Sequence, residues 1–248
     1  MLRALLSDVH GNIEALNAVL ADIRQSGIDE IFCLGDSIGY GPNPVECLRM
    51  VRERCALQLM GNHEYAVITS AENFNPLARA AVDWTRSRIE EAPDARELYD
   101  RLLSLRPAKM IDGMLHVHGS VRDPLIDYVR EPEDRGDFLR LVESLKKDFE
   151  DFRLCFVGHN HKAFLGTEEA VIYPHEGFRR FHVKGERLYI CVGSVGQPRD
   201  GDPRACYVAF DGEFVEYRRV EYDAQAVADR ILEAGLPDFL AARLLTGD

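Results

Sequence analysis

Two histidines one residue apart, in Gly158-His159-Asn160-His161, follow directly on the apolar run Leu154-Cys155-Phe156-Val157. If that run is a strand, both imidazoles can project to one side, where they could share a metal ion, serve two ions, or merely decorate a loop. Four more polar clusters end apolar runs in the same way: Asp8-Val9-His10-Gly11, Gly35-Asp36, Gly61-Asn62-His63-Glu64 and His118-Gly119-Ser120. Singly, each has an ordinary structural role, Asp8 near a helix start, Asn62 in a turn, a histidine on the surface or satisfied in the core. Jointly, two Asp, one Asn and four His at five such positions offer the mixed oxygen and nitrogen donors that a pair of divalent transition-metal ions requires.

The elements that must position these clusters follow from periodicity. Residues 2–6 read as a strand, 12–25 as a helix closed by Gly27, 31–34 as a strand, 45–54 as a helix and 57–60 as a strand. This β-α-β-α-β order predicts a parallel sheet with right-handed crossovers, and its polar clusters fall just beyond the carboxyl ends of the strands. Residues 65–106 are mainly helical in pattern and are expected to cover part of the site. Strands resume at 114–118 and 154–157 with a helix near 134–149 between them. Alternating segments between 170 and 222 predict antiparallel hairpins, turning at Lys184-Gly185-Glu186 and at Asp211-Gly212, before a final helix over roughly 224–244. No repeat or linker divides the chain, so one domain is expected over 1–248.

Composition narrows the function. At 248 residues the chain can bury roughly 70 to 75% of its unfolded surface, enough for one large α/β core. No apolar stretch approaches the ~20 residues needed to span a bilayer, and the start of the chain lacks the pattern of a secretory signal, which points to the cytoplasm. The six cysteines form no C-x-x-C pair and read as reduced structural residues. A net charge of −12 disfavours bulk nucleic-acid binding, whereas bound divalent cations would locally reverse the sign. Nothing in the sequence specifies an oligomeric state.

In order, D-x-H, G-D, G-N-H-E, H-G-S and G-H-x-H resemble the motifs of the calcineurin-like metallophosphoesterase superfamily, and "GSVGQPRDGDPRACY" resembles the closing segment of its small prokaryotic phosphodiesterase-like branch. The resemblance covers nearly the whole chain. It implies a four-layer α-β-β-α sandwich with two central mixed sheets flanked by helices and a di-metal site at one edge. By motif position, Asp8, His10 and His161 would hold one metal, Asn62, His118 and His159 the other, and Asp36 would bridge them. Two-metal sites of this kind set the ions roughly 3.5–4 Å apart and activate a water for in-line attack on phosphorus. His63 would stabilise or protonate the leaving oxygen. His116 competes with His118, because residues two apart on a strand face the same way, and the H-G-S pattern selects His118. His175 and His182 read as surface residues. Arg199 and Arg204 could contact substrate phosphate or could instead pair with Asp200 or Asp202.

The chain departs from the phosphoprotein phosphatase branch, whose segment G-D-x-V-D-R-G supplies a carboxylate behind the catalytic histidine and an Arg for phosphate. Here Gly39 and Tyr40 stand at those positions, and Met60 replaces the Arg before G-N-H-E. Cys191-Val192 also stand where relatives often carry Asn-Pro. Losing both arginines weakens the grip on a monoester dianion and favours a small or nucleotide-like phosphodiester. Phosphomonoester hydrolysis, as by a protein phosphatase or a dinucleoside polyphosphate hydrolase, is the rival chemistry. A non-catalytic metal-binding scaffold is the rival of another class, although all seven candidate ligands are present. The mixed donor set suits manganese, iron or zinc, manganese first, over calcium or magnesium.

Overall fold

A computed structural model describes residues 2–128, 139–140, 143, 152–175, 177–183, 185 and 187–248. Two six-stranded mixed sheets face each other. The first, in spatial order β3-β2-β1-β11-β12-β9, joins Leu57–Gln58, Glu30–Cys33, Arg3–Leu6, Ala205–Phe210, Phe214–Val220 and Arg180–His182. The second, β4-β5-β6-β10-β7-β8, joins Ala108–Ile111, Met114–Val117, Leu154–Val157, Leu188–Val192, Ala163–Gly166 and Val171–Ile172. β1, β2 and β3 are parallel, connected through α1 (Ile13–Gln25) and α2 (Pro44–Arg54), as the opening alternation predicts.

Strand alternation sorts the core. In the first sheet Leu5, Phe32 and Leu57 point inward against Phe156, Leu188 and Ile190 of the second. Ala4, Leu6, Ile31 and Cys33 point outward, against Leu16, Val19 and Ile23 of α1 and Cys47 and Val51 of α2. Asn12 caps α1, its side chain accepting from the Ala15 backbone N–H at 3.0 Å. Residues 62–104 form α3 (Asn62–Ile68), α4 (Pro76–Glu90) and α5 (Ala95–Ser104), which pack on one another and on Val45 and Leu48 of α2. All six cysteines are free thiols, five of them buried. No helix of the described residues is long and apolar enough to cross a membrane.

Two expectations are corrected. The strands flanking 184–186 do not form a hairpin: β9 pairs with β12 in the first sheet, while β10 lies between β6 and β7 in the second. Alternation establishes that a segment is a strand but not which sheet receives it. The single helix over 224–244 is two helices, α6 (Ala224–Glu233) and α7 (Asp238–Thr246). Gly235, at φ +70°, and Pro237 end one and start the other, and the two pack together through Val227, Ile231, Leu240 and Leu244. The Asp211-Gly212 turn does join β11 to β12. The helix expected near 134–149 falls almost wholly outside the described residues, as do Lys184 and Glu186.

Candidate metal centre

The polar clusters meet where the two sheets end. The strand ends of the first sheet deliver Asp8 and His10 after β1, Asp36 after β2, and Asn62 and His63 at the start of α3. Those of the second deliver His118 after β5 and His159 and His161 after β6. Asp8, His10, Asp36, His159 and His161 all have left-handed backbone, φ between 48° and 65°. Such a conformation costs a non-glycine residue ~1–3 kcal/mol and persists only where surroundings enforce it. The surroundings here are cross-loop hydrogen bonds: Asp8 N to Gly35 O (3.0 Å), His10 N to Asp36 O (2.9 Å), Gly158 N to His118 O (3.0 Å) and Gly196 N to Asp8 O (2.9 Å). Close approach adds a further demand at Gly61, where a Cβ would sit 2.1 Å from Asp36 Oδ1.

The side chains converge. His10 Nε2 lies 3.0 Å from His161 Nε2 and 3.6 Å from Asp36 Oδ2, and His161 Nε2 lies 3.3 Å from Asp8 Oδ1. On the other side His118 Nε2 is 3.5 Å from Asp36 Oδ2 and 3.1 Å from Asn62 Oδ1. Asp8–His10–His161 and Asp36–His118–His159 each bring donor atoms within 4.8 Å of one another, as does His10–Asp36–His63.

The hydrogen bonds behind these rings fit a metal. His10 Nδ1 faces Ile38 O (3.1 Å), His118 Nδ1 Leu34 O (2.9 Å), His161 Nδ1 Gln197 O (2.6 Å) and His159 Nε2 Ile126 O (3.1 Å). At His10, His159 and His161 the carbonyl draws the ring proton to itself and leaves the other nitrogen as a lone pair facing the centre, the usual support of a metal-binding imidazole; His118 Nε2 holds a proton against Asp36 that a metal would displace. Ser120 Oγ holds Asp127 at 2.7 Å and so helps to pin the loop that presents Ile126. Asp8 Oδ1 is buried with no hydrogen-bond partner, which is costly unless a cation or donor meets it.

Electrostatics agree. Burial pushes Asp8 up to about 7 despite the opposing pull of His118. Burial also acts upward on Asp36, but His118, His63 and His10 outweigh it and hold that carboxylate well below its usual range. Burial would lower His118, yet Asp36 raises it to about 9. Burial pushes His159 down to about 3, His63 to about 4, and His10 and His161 well below normal, so these four are neutral. Neutral imidazole is the metal-binding form.

His116 does not join the cluster. It lies between Phe32 and Phe156, at ring distances of 5.2 and 5.4 Å, in the core between the sheets. Arg204 is held by Asp202 through Nε (2.9 Å) and Nη2 (2.6 Å). Arg199 stays beside the centre, its guanidinium 5.6 Å from the Tyr40 ring. His175 and His182 are exposed.

Several neighbours carry no sequence signal of their role. Glu64 is buried and accepts three backbone N–H groups, from Asp36 (2.8 Å), Ser37 (2.6 Å) and Gly61 (2.9 Å). It thereby clamps the Asp36 turn to α3, and its place as the third helical residue was the one available hint. Tyr40 and Phe74 pack against His63 at 4.4 and 5.1 Å, and Tyr128 stacks on His159 at 3.8 Å.

Residues 1–213 match the family model described as the calcineurin-like phosphoesterase superfamily domain. The chain belongs to that superfamily. A metallophosphoesterase from Sphaerobacter thermophilus superposes with a TM-score of 0.85 at 36% identity, each chain covered in full. An uncharacterized protein of Methanocaldococcus jannaschii, MJ0912, is 37% identical over 98% of this chain and 97% of its own. The symmetrical bis(5'-nucleosyl)-tetraphosphatase of Methylobacillus flagellatus is 29% identical over 47% of this chain and 42% of its own. As a member of this superfamily the chain is a phosphoric ester hydrolase, in a family that depends on divalent metal.

Proposed function

We propose that this calcineurin-like phosphoesterase is a dinuclear-metal phosphodiesterase acting on a small or nucleotide-like substrate. Asp8, His10 and His161 would hold one ion, Asn62, His118 and His159 the other, and Asp36 would serve both. The observation that carries this reading is the pair of buried donor sets, Asp8–His10–His161 and Asp36–His118–His159, with Asp36 Oδ2 3.6 Å from His10 Nε2 of the first and 3.5 Å from His118 Nε2 of the second, and with the histidine rings oriented by backbone carbonyls. Two divalent cations held there would supply an acidified water and charge to offset that of the phosphate oxygens, with manganese the first candidate and iron or zinc alternatives.

The protein's own groups do the rest. Asp36 is fixed as an ionised carboxylate, its Oδ1 accepting the His63 backbone N–H at 2.9 Å. His63 Nδ1 is buried without a hydrogen-bond partner, and the neutral ring has one N–H to offer the leaving oxygen. With a glycine at position 39, the ring is oriented by Tyr40 and Phe74 instead of a carboxylate. The neutral Tyr40 and Met60, where an Arg fork would grip a dianion, support the diester.

The test is turnover of bis(p-nitrophenyl) phosphate against p-nitrophenyl phosphate by protein reconstituted with manganese. Preference for the diester is expected, preference for the monoester reverses the substrate assignment, and no turnover of either removes the proposed activity. The likeness to a symmetrical bis(5'-nucleosyl)-tetraphosphatase favours a second reading, hydrolysis of a dinucleoside polyphosphate, which product analysis distinguishes.

A further inference from the structure

Two guanidinium groups beside the metal centre converge on one neutral atom. Arg199 Nη2 donates to Gln197 Oε1 at 2.6 Å, and Arg243 Nη1, from α7, donates to the same oxygen at 3.3 Å. Like charges brought together in a partly buried setting repel, and an amide oxygen does not neutralise them. Of the acidic side chains nearby, Asp202 pairs with Arg204 and Asp200 with Arg219, which leaves Asp248 as the one that acts on Arg243. Arg199 Nε is buried without a hydrogen-bond partner, and Arg243 Nε is taken by the backbone oxygen of Asp248 (2.6 Å). Burial and the charge of Arg199 push Arg243 down to about 10, against the weaker opposing pull of Tyr40 and Asp248.

The pair is tied to the centre without belonging to it. The Gln197 carbonyl accepts from His161 Nδ1 (2.6 Å), and the Arg199 backbone N–H donates to His161 O (3.1 Å). The Arg199 guanidinium lies over Tyr40, whose ring is in turn 4.6 Å from that of His10 and 4.4 Å from that of His63. One aromatic ring thus separates the guanidinium from the candidate ligands. Beyond it, Arg199 walls a cleft of about 530 Å³ that Lys162, Tyr173 and Arg179 also line.

We propose that Arg199 and Arg243 form an anion subsite for a second, non-reacting phosphate, covalently linked to the one positioned for attack at the metals. The substrate class is then a small ester carrying at least two linked phosphates, with the remainder of the molecule in the cleft. This rests on the phosphoesterase reading and deepens it. Guanidinium forks suit such a group because they present several donors to phosphate oxygens in a fixed plane.

The test is isothermal titration of manganese-saturated protein, at constant free manganese, with methylphosphonate and methylenediphosphonate, which differ by one linked phosphonate and resist hydrolysis. The diphosphonate is expected to bind at least ~10-fold tighter, a difference of about 1.4 kcal/mol. Arg243→Gln and Arg199→Gln should bring the ratio close to one, and Arg243→Lys should restore part of it, with two metals per protein throughout. Equal affinities in the unaltered protein, or a ratio that survives both Gln variants, overturns the subsite. Metal loss accompanying the lost ratio would make the arginines structural and also overturns it. Two methylphosphonates per protein with no gain from linking them would assign the site to a free anion and overturn the substrate class. Hydrolysis of bis(p-nitrophenyl) phosphate is scored separately, so the subsite and the phosphodiesterase reading fail by different results.

Discussion

The ring of His63 fills the space that a side chain on residue 39 would need: a Cβ built on Gly39 meets His63 Nδ1 at 2.2 Å. Gly39→Ala should therefore displace the ring and, at φ +89°, add backbone strain of ~1–3 kcal/mol. Turnover of the diester should fall ~10²–10⁴-fold, comparable to His63→Asn, while metal analysis still finds two ions. Metal loss in Gly39→Ala would mean that the loop, not the ring, was what the glycine protects.

His159 and His161 are two residues apart yet face different partners, Asp36 and His118 for the first, Asp8 and His10 for the second. His159→Ala and His161→Ala should each leave one ion bound and lose a different one. Spectroscopy of mixed-metal protein or crystallography of each variant identifies the surviving ion. If both variants keep the same ion, the division of ligands is wrong.

Asp36 stands between the two donor sets, 3.6 Å from His10 Nε2 and 3.5 Å from His118 Nε2. Asp36→Asn should lower the affinity for both ions and abolish turnover together. Full metal occupancy with turnover retained would remove Asp36 from its bridging role, and partner binding unaffected by metal loss would instead indicate a scaffold.

Glu64 gathers three backbone N–H groups on one carboxyl group in a fully buried place, where burial raises it to about 7. Glu64→Gln replaces an acceptor with a donor and leaves at least one of these N–H groups unpaired, at ~1–3 kcal/mol. The melting temperature should drop by several degrees even in protein without metal, since the clamp acts on backbone. An unchanged melting temperature would show that the clamp is redundant.

Above about pH 7, where the lowered histidines are neutral folded and unfolded alike, the metal-free protein should lose stability as pH rises. Asp8, unperturbed at 3.8 but raised to about 7 when folded, keeps a proton that the unfolded chain releases, so its contribution falls across that interval. His118, raised from 6.5 to about 9, contributes fully below pH 6.5 and loses that contribution as pH climbs through 9. Asp36, held low, acts the other way at acid pH, and so do His10, His63, His159 and His161 below pH 6.5, where the unfolded chain takes up protons that the folded rings refuse. Metal binding requires ionised Asp8 and neutral His118, so the stabilisation gained on adding manganese should be larger at pH 8.5 than at pH 6. Calorimetric scans with chelator and with manganese at the two pH values measure this, and equal gains would count against the ligand set.

Much of this was legible in the sequence because chemistry and chain direction coincide. A parallel β-α-β-α-β run places successive strand ends together, so Asp8, Asp36 and Asn62 could be grouped before any coordinates. What stayed hidden depends on contacts that carry no local pattern. Gln197 acts through its backbone carbonyl, Tyr128 and Arg243 arrive from distant loops and helices, and the separation of β9 from β10 depends on which sheet had a free edge. The break at Gly235-Leu236-Pro237 was visible as residue types but was masked by apolar spacing that stays in helical register across it.

Each proposed ion draws donors from the ends of both sheets, Asp8, His10, Asp36 and Asn62 from one and His118, His159 and His161 from the other. Occupancy therefore ties together two layers otherwise joined by side-chain packing and loop contacts. In amide hydrogen exchange, β1 and β2 should open with β5 and β6 as a single unit when manganese is bound, and on removing it the slowest amides of the two layers should part into separate classes.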